Sequence, residues 1–255
     1  MSSNRVVMSL HSAAIADGTL QVANATGVEA LSQPFRFDLD LVSEKSSIDL
    51  AAILGADAHV SLFRTMVSGD GRTGTLAYDY HGMIAEMRQV GRAGFNRYRY
   101  SAVLRPQLWK LSYTRRSRIF VDKNVPDLLK AVFADAGITY KMKLSKESAY
   151  PIYRYAVQYE ESDLDFISRW MEQVGISYYY DIDGDKGTVI IIDSPRGFAP
   201  ISPYGERVSY DDRSTSGLTA SNGHQRISRL DLEEVRSVIL EDMLGVQPLP
   251  LGGGA

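Results

Sequence analysis

Between Tyr153 and Tyr180 the hydrophobic period of the chain changes twice, from two to about three and a half and back, which reads as strand, helix, strand. Ile167, Trp170, Met171 and Val174 recur at helical spacing, Ser162 stands where an N-cap belongs, and Gly175 supplies the stop. Ser162 with Asp165 approximates a capping box. The aromatic run Tyr178-Tyr179-Tyr180 favours strand. A second helix is predicted over Val125–Ala136, with Pro126 in its first turn, apolar Leu128, Leu129, Val132 and Phe133, and Gly137 as its end. With a further strand at Thr188–Asp193, residues 109–194 form an α+β unit.

The first third has another pattern. Segments Val6–Leu10, Phe35–Leu41, His59–Val67, Thr75–Arg88 and Asn96–Leu104 read as short strands separated by Gly- or Ser-rich turns, and one or two helical turns are expected over Ile48–Gly55. Such strands suggest a small barrel or sandwich. Strand signals resume at Gln225–Val238 after a polar loop at Asp211–Gly223. The expected class is α+β, mainly β. It comprises a barrel-like part over 1–108, the α+β unit over 109–194, the start of a second, incomplete barrel-like part over 195–246, and a flexible tail over 247–255.

With 44% hydrophobic residues in 255, the chain can bury a substantial core. The absence of cysteine excludes disulfides, thiolate metal sites and a cysteine nucleophile. A net charge of −3 gives no global reason to expect nucleic acid or an anionic membrane as partner. The apolar run before His11 is too short for a signal peptide and no segment has the length of a membrane span, so the chain is expected to reside first in the cytoplasm.

Candidate motifs mostly resolve into structure. Gly69-Asp-Gly-Arg-Thr-Gly74 matches a phosphate-cradling pattern, but strand-like residues follow it where a helix is needed, so a hairpin loop is expected. Asp181-Ile-Asp-Gly-Asp-Lys-Gly opens like a calcium loop and then has Lys186 at the glycine position and Ile192 at the glutamate position, which points to a tight turn. From Arg105 to Lys123, Arg105, Lys110, Arg115, Arg116, Arg118 and Lys123 interleave with Trp109, Tyr113 and Phe120. That mix suits a nucleic-acid groove, a solvated connection, or a lumen-facing or intersubunit surface, and the acidic balance of the chain favours the last. Glu160, Glu161, Asp163 and Asp165 could serve glycoside hydrolysis, although a helix's first turn attracts acids anyway. His11, His59, His81 and His224 show no metal-ligand spacing, and Ser43 and Ser46 lie in no nucleophile elbow. No catalytic, cofactor-binding or metal residue is assigned.

Four stretches carry a resemblance: Glu29-Ala-Leu-Ser-Gln-Pro-Phe-Arg-Phe-Asp-Leu-Asp-Leu, the His81–Gly91 segment His-Gly-Met-Ile-Ala-Glu-Met-Arg-Gln-Val-Gly, the run from Tyr98 to Ser112, and Tyr155–Tyr180. Their order and spacing, continued through Arg118–Leu129 and covering roughly residues 5 to 240, resemble the N-terminal hub region of VgrG, the spike protein of bacterial type VI secretion. That family resembles the baseplate hub of contractile phages. The resemblance implies a non-enzymatic homotrimer, without cofactors, that adapts a hexameric tube protein to a trimeric needle. Two similar barrels per subunit would give six similar surfaces. It also implies contacts with baseplate components and with effectors or spike-tip proteins, and export through the type VI apparatus without a signal peptide. The rest of the hub, the neck and the needle of that family lie outside these 255 residues. This length of chain is therefore expected to be a monomer or a weak, concentration-dependent trimer. A phage tail hub and a peptidoglycan hydrolase are the competing expectations.

Overall fold

The structure, a computed structural model, describes residues 6–67, 73–94, 96–181 and 187–199, with two short strands at 209–210 and 226–227. Strands β1 (Val6–Ser12), β2 (Gln21–Val28), β3 (Arg36–Ser43), β4 (Asp57–Val67), β5 (Thr73–Gly94) and β6 (Arg97–Arg105) form one antiparallel sheet in the order β1-β4-β5-β6-β3-β2. The sheet curls into a half-barrel, so that its two edge strands β1 and β2 approach each other. In β3 the alternation is clean, with Phe37, Leu39 and Leu41 buried while Asp38 and Asp40 face out. A single helical turn, α1 (Leu50–Ile53), starts at Asp49, whose carboxylate accepts the Ala52 N–H at 3.1 Å.

Strand β5 runs for 22 residues and shifts register three times against β6, which bends it around the curl. At Gly82 the next backbone comes so close that an added Cβ would lie 2.0 Å from the Arg105 carbonyl oxygen. Only glycine fits there. Strand β2 is a correction to the expected strands. Its alternation breaks at a register shift between Val22 and Asn24 and most of it is exposed, which removes the period-two signal.

The second unit contains β7 (Arg115–Lys123), α2 (Val125–Ala136), β8 (Tyr140–Lys143), β9 (Tyr153–Ser162), α3 (Asp163–Val174), β10 (Ser177–Tyr180) and β11 (Val189–Ile192). Strands β7 and β9 make a two-stranded ribbon, and β10, β11 and β8 a small sheet in which β8 runs parallel to β11. Both helices start and stop as expected. Asn124 caps α2, while the Ser162 hydroxyl accepts the Asp165 N–H at 3.0 Å and α3 ends at Gly175 with φ of 73°. Neither β7 nor β8 was expected. The charges of β7 hide its alternation, and β8 is only four residues long.

One apolar core runs through both units, from Phe37 and Leu104 in the sheet through Leu108 and Leu111 to Leu128, Phe166 and Ile191. The Phe35 ring meets Tyr180 edge-on at 5.0 Å, and the Ser32 N–H donates to the Tyr178 carbonyl at 2.9 Å. Trp170 and Ile167 are buried in this core. Beyond Ala199 only the parallel pairing of Ser209–Tyr210 with Arg226–Ile227 is described. The expected loop at 211–223, His224, most of the second barrel-like part over 195–246, and the tail over 247–255 lie outside the described residues, as do 68–72 and 182–186. Among the described residues beside those two stretches, β4 pairs antiparallel with β5 as far as Val67 opposite Thr73, and the Asp181 N–H donates to the Thr188 carbonyl at 2.9 Å.

Candidate interaction surface

The β7–β9 ribbon carries apolar residues on both of its faces. Inward, Phe120 stacks on Phe166 of α3 with ring centroids 5.5 Å apart, and Ala156 is buried beside it. Outward, Ile119 lies opposite Val157 and Val121 opposite Tyr155, with Tyr159 one step further along. These five are 62, 47, 51, 57 and 71% exposed in that order, so they form one continuous stripe open to solvent. A strand with apolar residues on consecutive positions, such as Ile119-Phe120-Val121, is the pattern of a strand covered on both sides. Only one side is covered here. Contiguous apolar patches beyond a few hundred Å² mark interaction sites. Exposed Arg115, Lys123 and Arg154 rim the stripe, the Arg154 guanidinium lying 5.4 Å from the Tyr155 ring centre.

An ionic network beneath the stripe fixes the ribbon. Asp163, almost wholly buried at the start of α3, receives Arg118 Nη2 at 3.1 Å, Arg116 Nε at 3.4 Å and the Gln158 amide at 2.8 Å. Arg118 also donates to Asp135 of α2 at 2.7 Å and to the Gln158 side-chain oxygen at 2.7 Å. A buried charge stripped of its partner costs about 3–5 kcal/mol. The network therefore locks ribbon to helices and leaves the outer stripe rigidly presented.

The sequence candidates divide between these settings. Arg105 stacks over Trp109 at 4.1 Å, Arg116 and Arg118 turn inward onto carboxylates, and only Lys110, Arg115 and Lys123 of the basic series remain exposed. Residues 115–123 are a strand and no solvated connection. Among the acids of the α3 start, Asp163 is consumed by the network, Glu161 pairs with Arg169 at 2.6 Å, and Asp165 accepts the Ser162 hydroxyl at 2.6 Å. Glu160 sits at a positive φ of 47° in the ribbon's irregular end, its N–H held by the Ser117 hydroxyl.

A second feature lies across the sheet. His11 of β1, His59 of β4 and His81 of β5 are register partners; the His11 and His59 rings stack at 4.7 Å and the His81 ring lies tilted against His59 at 4.8 Å. They line a cleft of about 650 Å³ shared with Asp17, Asp57, Gln107 and Lys110. The His11 Nε2 bonds Ser9 Oγ at 3.0 Å and its Nδ1 bonds Asp17 at 2.9 Å, a Ser–His–Asp chain that sequence reasoning missed. Its parts do not meet the needs of a nucleophile. Ser9 lies on a regular paired strand without an elbow, and the Asp17 side chain is 74% exposed. The His11 and His59 rings stack at 13° and His81 is tilted 31° to His59, and among the described residues no group of three or more His, Asp or Glu side chains is arranged to hold a metal ion.

The sequence matches a family model over residues 28–240, that of the phage tail baseplate hub. The chain belongs to the phage tail baseplate hub family. It is 34% identical over 192 residues to the type VI secretion system spike protein VgrG1b of Pseudomonas aeruginosa, covering 72% of this chain and 24% of that protein. The VgrG5 spike protein of the same organism is 36% identical over 181 residues, covering 70% and 21%. The hub chain thus spans about a quarter of the length of these spike relatives. Among solved structures, it superposes on the E. coli c3393 protein, described as a type VI component with structural similarity to bacteriophage tail proteins gp27 and gp5, with a TM-score of 0.57. That match has 21% identity and covers 84% of this chain and 51% of the other. A tail protein from Neisseria meningitidis MC58 superposes with a TM-score of 0.51 at 14% identity, covering 82% and 56%. These two likenesses establish the hub fold.

Proposed function

We propose that the chain is the N-terminal hub portion of a type VI secretion spike and works by assembly, with no chemistry of its own. The observation that carries this reading is the rigid, solvent-open apolar stripe of the β7–β9 ribbon, in a chain whose relatives at 33–36% identity are spike proteins. In this reading the half-barrel over 1–108 is one of the ring-matching barrels, 109–194 braces it, and 195–246 begins the second. Three subunits then offer six similar surfaces to a hexameric tube protein, with baseplate components and effectors or spike-tip proteins as further partners. In this reading the chain is loaded from the cytoplasm and leaves through the type VI apparatus. Among the described residues no helix is long and apolar enough to cross a membrane.

Light scattering over a concentration series tests the assembly role. The chain should gain mass toward a trimer as concentration rises, and Ile119→Ser with Val157→Ser should remain monomeric at every concentration. Equal masses for both proteins would remove the ribbon from the interface. Incubation with peptidoglycan should release no muropeptides. Release that disappears in Glu160→Gln or Glu161→Gln would make the chain a hydrolase.

A further inference from the structure

The histidine ladder is placed where a proton would act mechanically. Strand β1 is a sheet edge whose strand partner among the described residues is β4, and His11 lies directly opposite His59. His59 is half-buried between two rings, His11 at 4.7 Å and His81 at 4.8 Å. The neighbours are unequal. His11 has a counter-ion in Asp17, at the turn after β1, so a charged His11 finds a carboxylate 2.9 Å away. His59 has no ion-pair partner among the described residues, and a charge on it faces an imidazole on each side.

The other charged groups around the ladder are Asp57 on β4, Asp79 on β5 and Lys110 of the turn after β6. Asp79 lies on the same face as His81 two residues away and opposite Ser61, and one of its carboxylate oxygens is buried without a partner. On the far side of the ladder the chain is tight, since a Cβ at Gly187 would lie 2.7 Å from the His81 carbonyl oxygen. His81 therefore has little room to retreat, whereas β1 is paired along one side, by β4.

We propose that the ladder is a proton-operated latch that holds β1 on the sheet while the rings are neutral and loosens that edge when His59 becomes charged. Burial, then the neighbouring His81 and His11, hold the His59 pKa below the usual imidazole value, against weaker opposite pulls from Asp79 and Asp17. A histidine whose pKa is lower folded than unfolded stabilises the fold above about pH 6.5, and that contribution is lost as pH falls through the folded value. The latch is thus closed at neutral pH and opens on mild acidification.

Amide exchange corrected for its intrinsic pH dependence is the direct measurement. Between pH 7.5 and 5, β1 should lose protection relative to β3 and β6. His59→Gln keeps a polar side chain without the titration and should abolish that difference. Unchanged β1 protection in the wild type, or the same loss in His59→Gln, overturns the proposal. A second readout does not depend on the variant at 59. In His81→Gln the His59 ring proton shifts should titrate at higher pH than in the wild type, and an unmoved titration rules out the coupling on which the latch depends.

Discussion

The β3 strand and the β7–β9 ribbon use the same rule of alternation and end in opposite situations. In β3, Phe37, Leu39 and Leu41 go to the core and Asp38 and Asp40 to solvent, so the strand is complete as it stands. In the ribbon, Phe120 and Ala156 go to the core while Ile119, Val121, Tyr155, Val157 and Tyr159 stand outside. The inner face of the half-barrel is covered within the chain, by its own strands and by the second unit. The ribbon is built to be covered by something else, and the Arg116–Arg118–Asp163–Gln158 network beneath it supplies the rigidity that a docking face needs.

If the interior side of this comparison is right, the largest effect belongs to Trp170. It packs edge-on to Tyr153 at 4.6 Å and within reach of Phe166, joining α3 to the ribbon's inner face. Truncating a buried aromatic costs about 3–5 kcal/mol, so Trp170→Ala should lower the urea midpoint sharply or yield insoluble protein. A midpoint equal to wild type would show that the ribbon does not depend on α3. Gly82→Ala tests the half-barrel in the same way. The new methyl meets the Arg105 backbone, which has to move, and overpacking of this kind costs typically about 1–3 kcal/mol in the same assay.

The outer stripe should behave in the reverse manner. Substituting Ile119 and Val157 by Ser removes no buried contact, and surface changes stay within about 0.5 kcal/mol each. The double variant should therefore unfold at nearly the wild-type midpoint while losing self-association. A large loss of stability would mean that the stripe is packed in the isolated chain and that the contrast with β3 is false.

What the sequence disclosed follows from the range of the interactions involved. Both long helices were legible, because Pro126 in the first turn of α2, Ser162 at the start of α3, and Gly137 and Gly175 at their ends are local devices, whereas the Asn124 cap of α2 went unread. Strands β3, β4 and β6 were legible because alternation is local as well. The ribbon's strand β7 was not, since Arg116 and Arg118 look like part of a solvated charge run until Asp135 and Asp163 are brought to them from 17 to 47 positions away. The histidine ladder was hidden for the same reason. His11, His59 and His81 meet only through the register of β1, β4 and β5, and no spacing within one strand encodes a register between three. The hub family was legible from whole stretches of sequence.

The smallest effect sharpens the comparison at the far end of the α+β unit, where a polar contact does what apolar packing does elsewhere. Asp193, just past β11, accepts the Ser145 N–H at 2.9 Å and hydroxyl at 2.9 Å and the Tyr150 hydroxyl at 3.0 Å, pinning the loop that follows β8. Partial burial pushes its carboxyl up, but the Ser145 and Tyr150 hydrogen bonds outweigh it and hold the carboxyl below the usual aspartate value. The same contact, with burial as the larger cause, pushes the Tyr150 hydroxyl up to about 12. An aspartate with a lowered folded pKa contributes stability that is present above its unfolded value near 3.8 and is lost as pH falls through the folded one. Stability followed by urea unfolding should therefore decline below about pH 4 in the wild type, with a shallower decline in Asp193→Asn. Identical acid limbs would show that this loop is held by the β8–β11 pairing alone, leaving the polar clasp without a share in the fold.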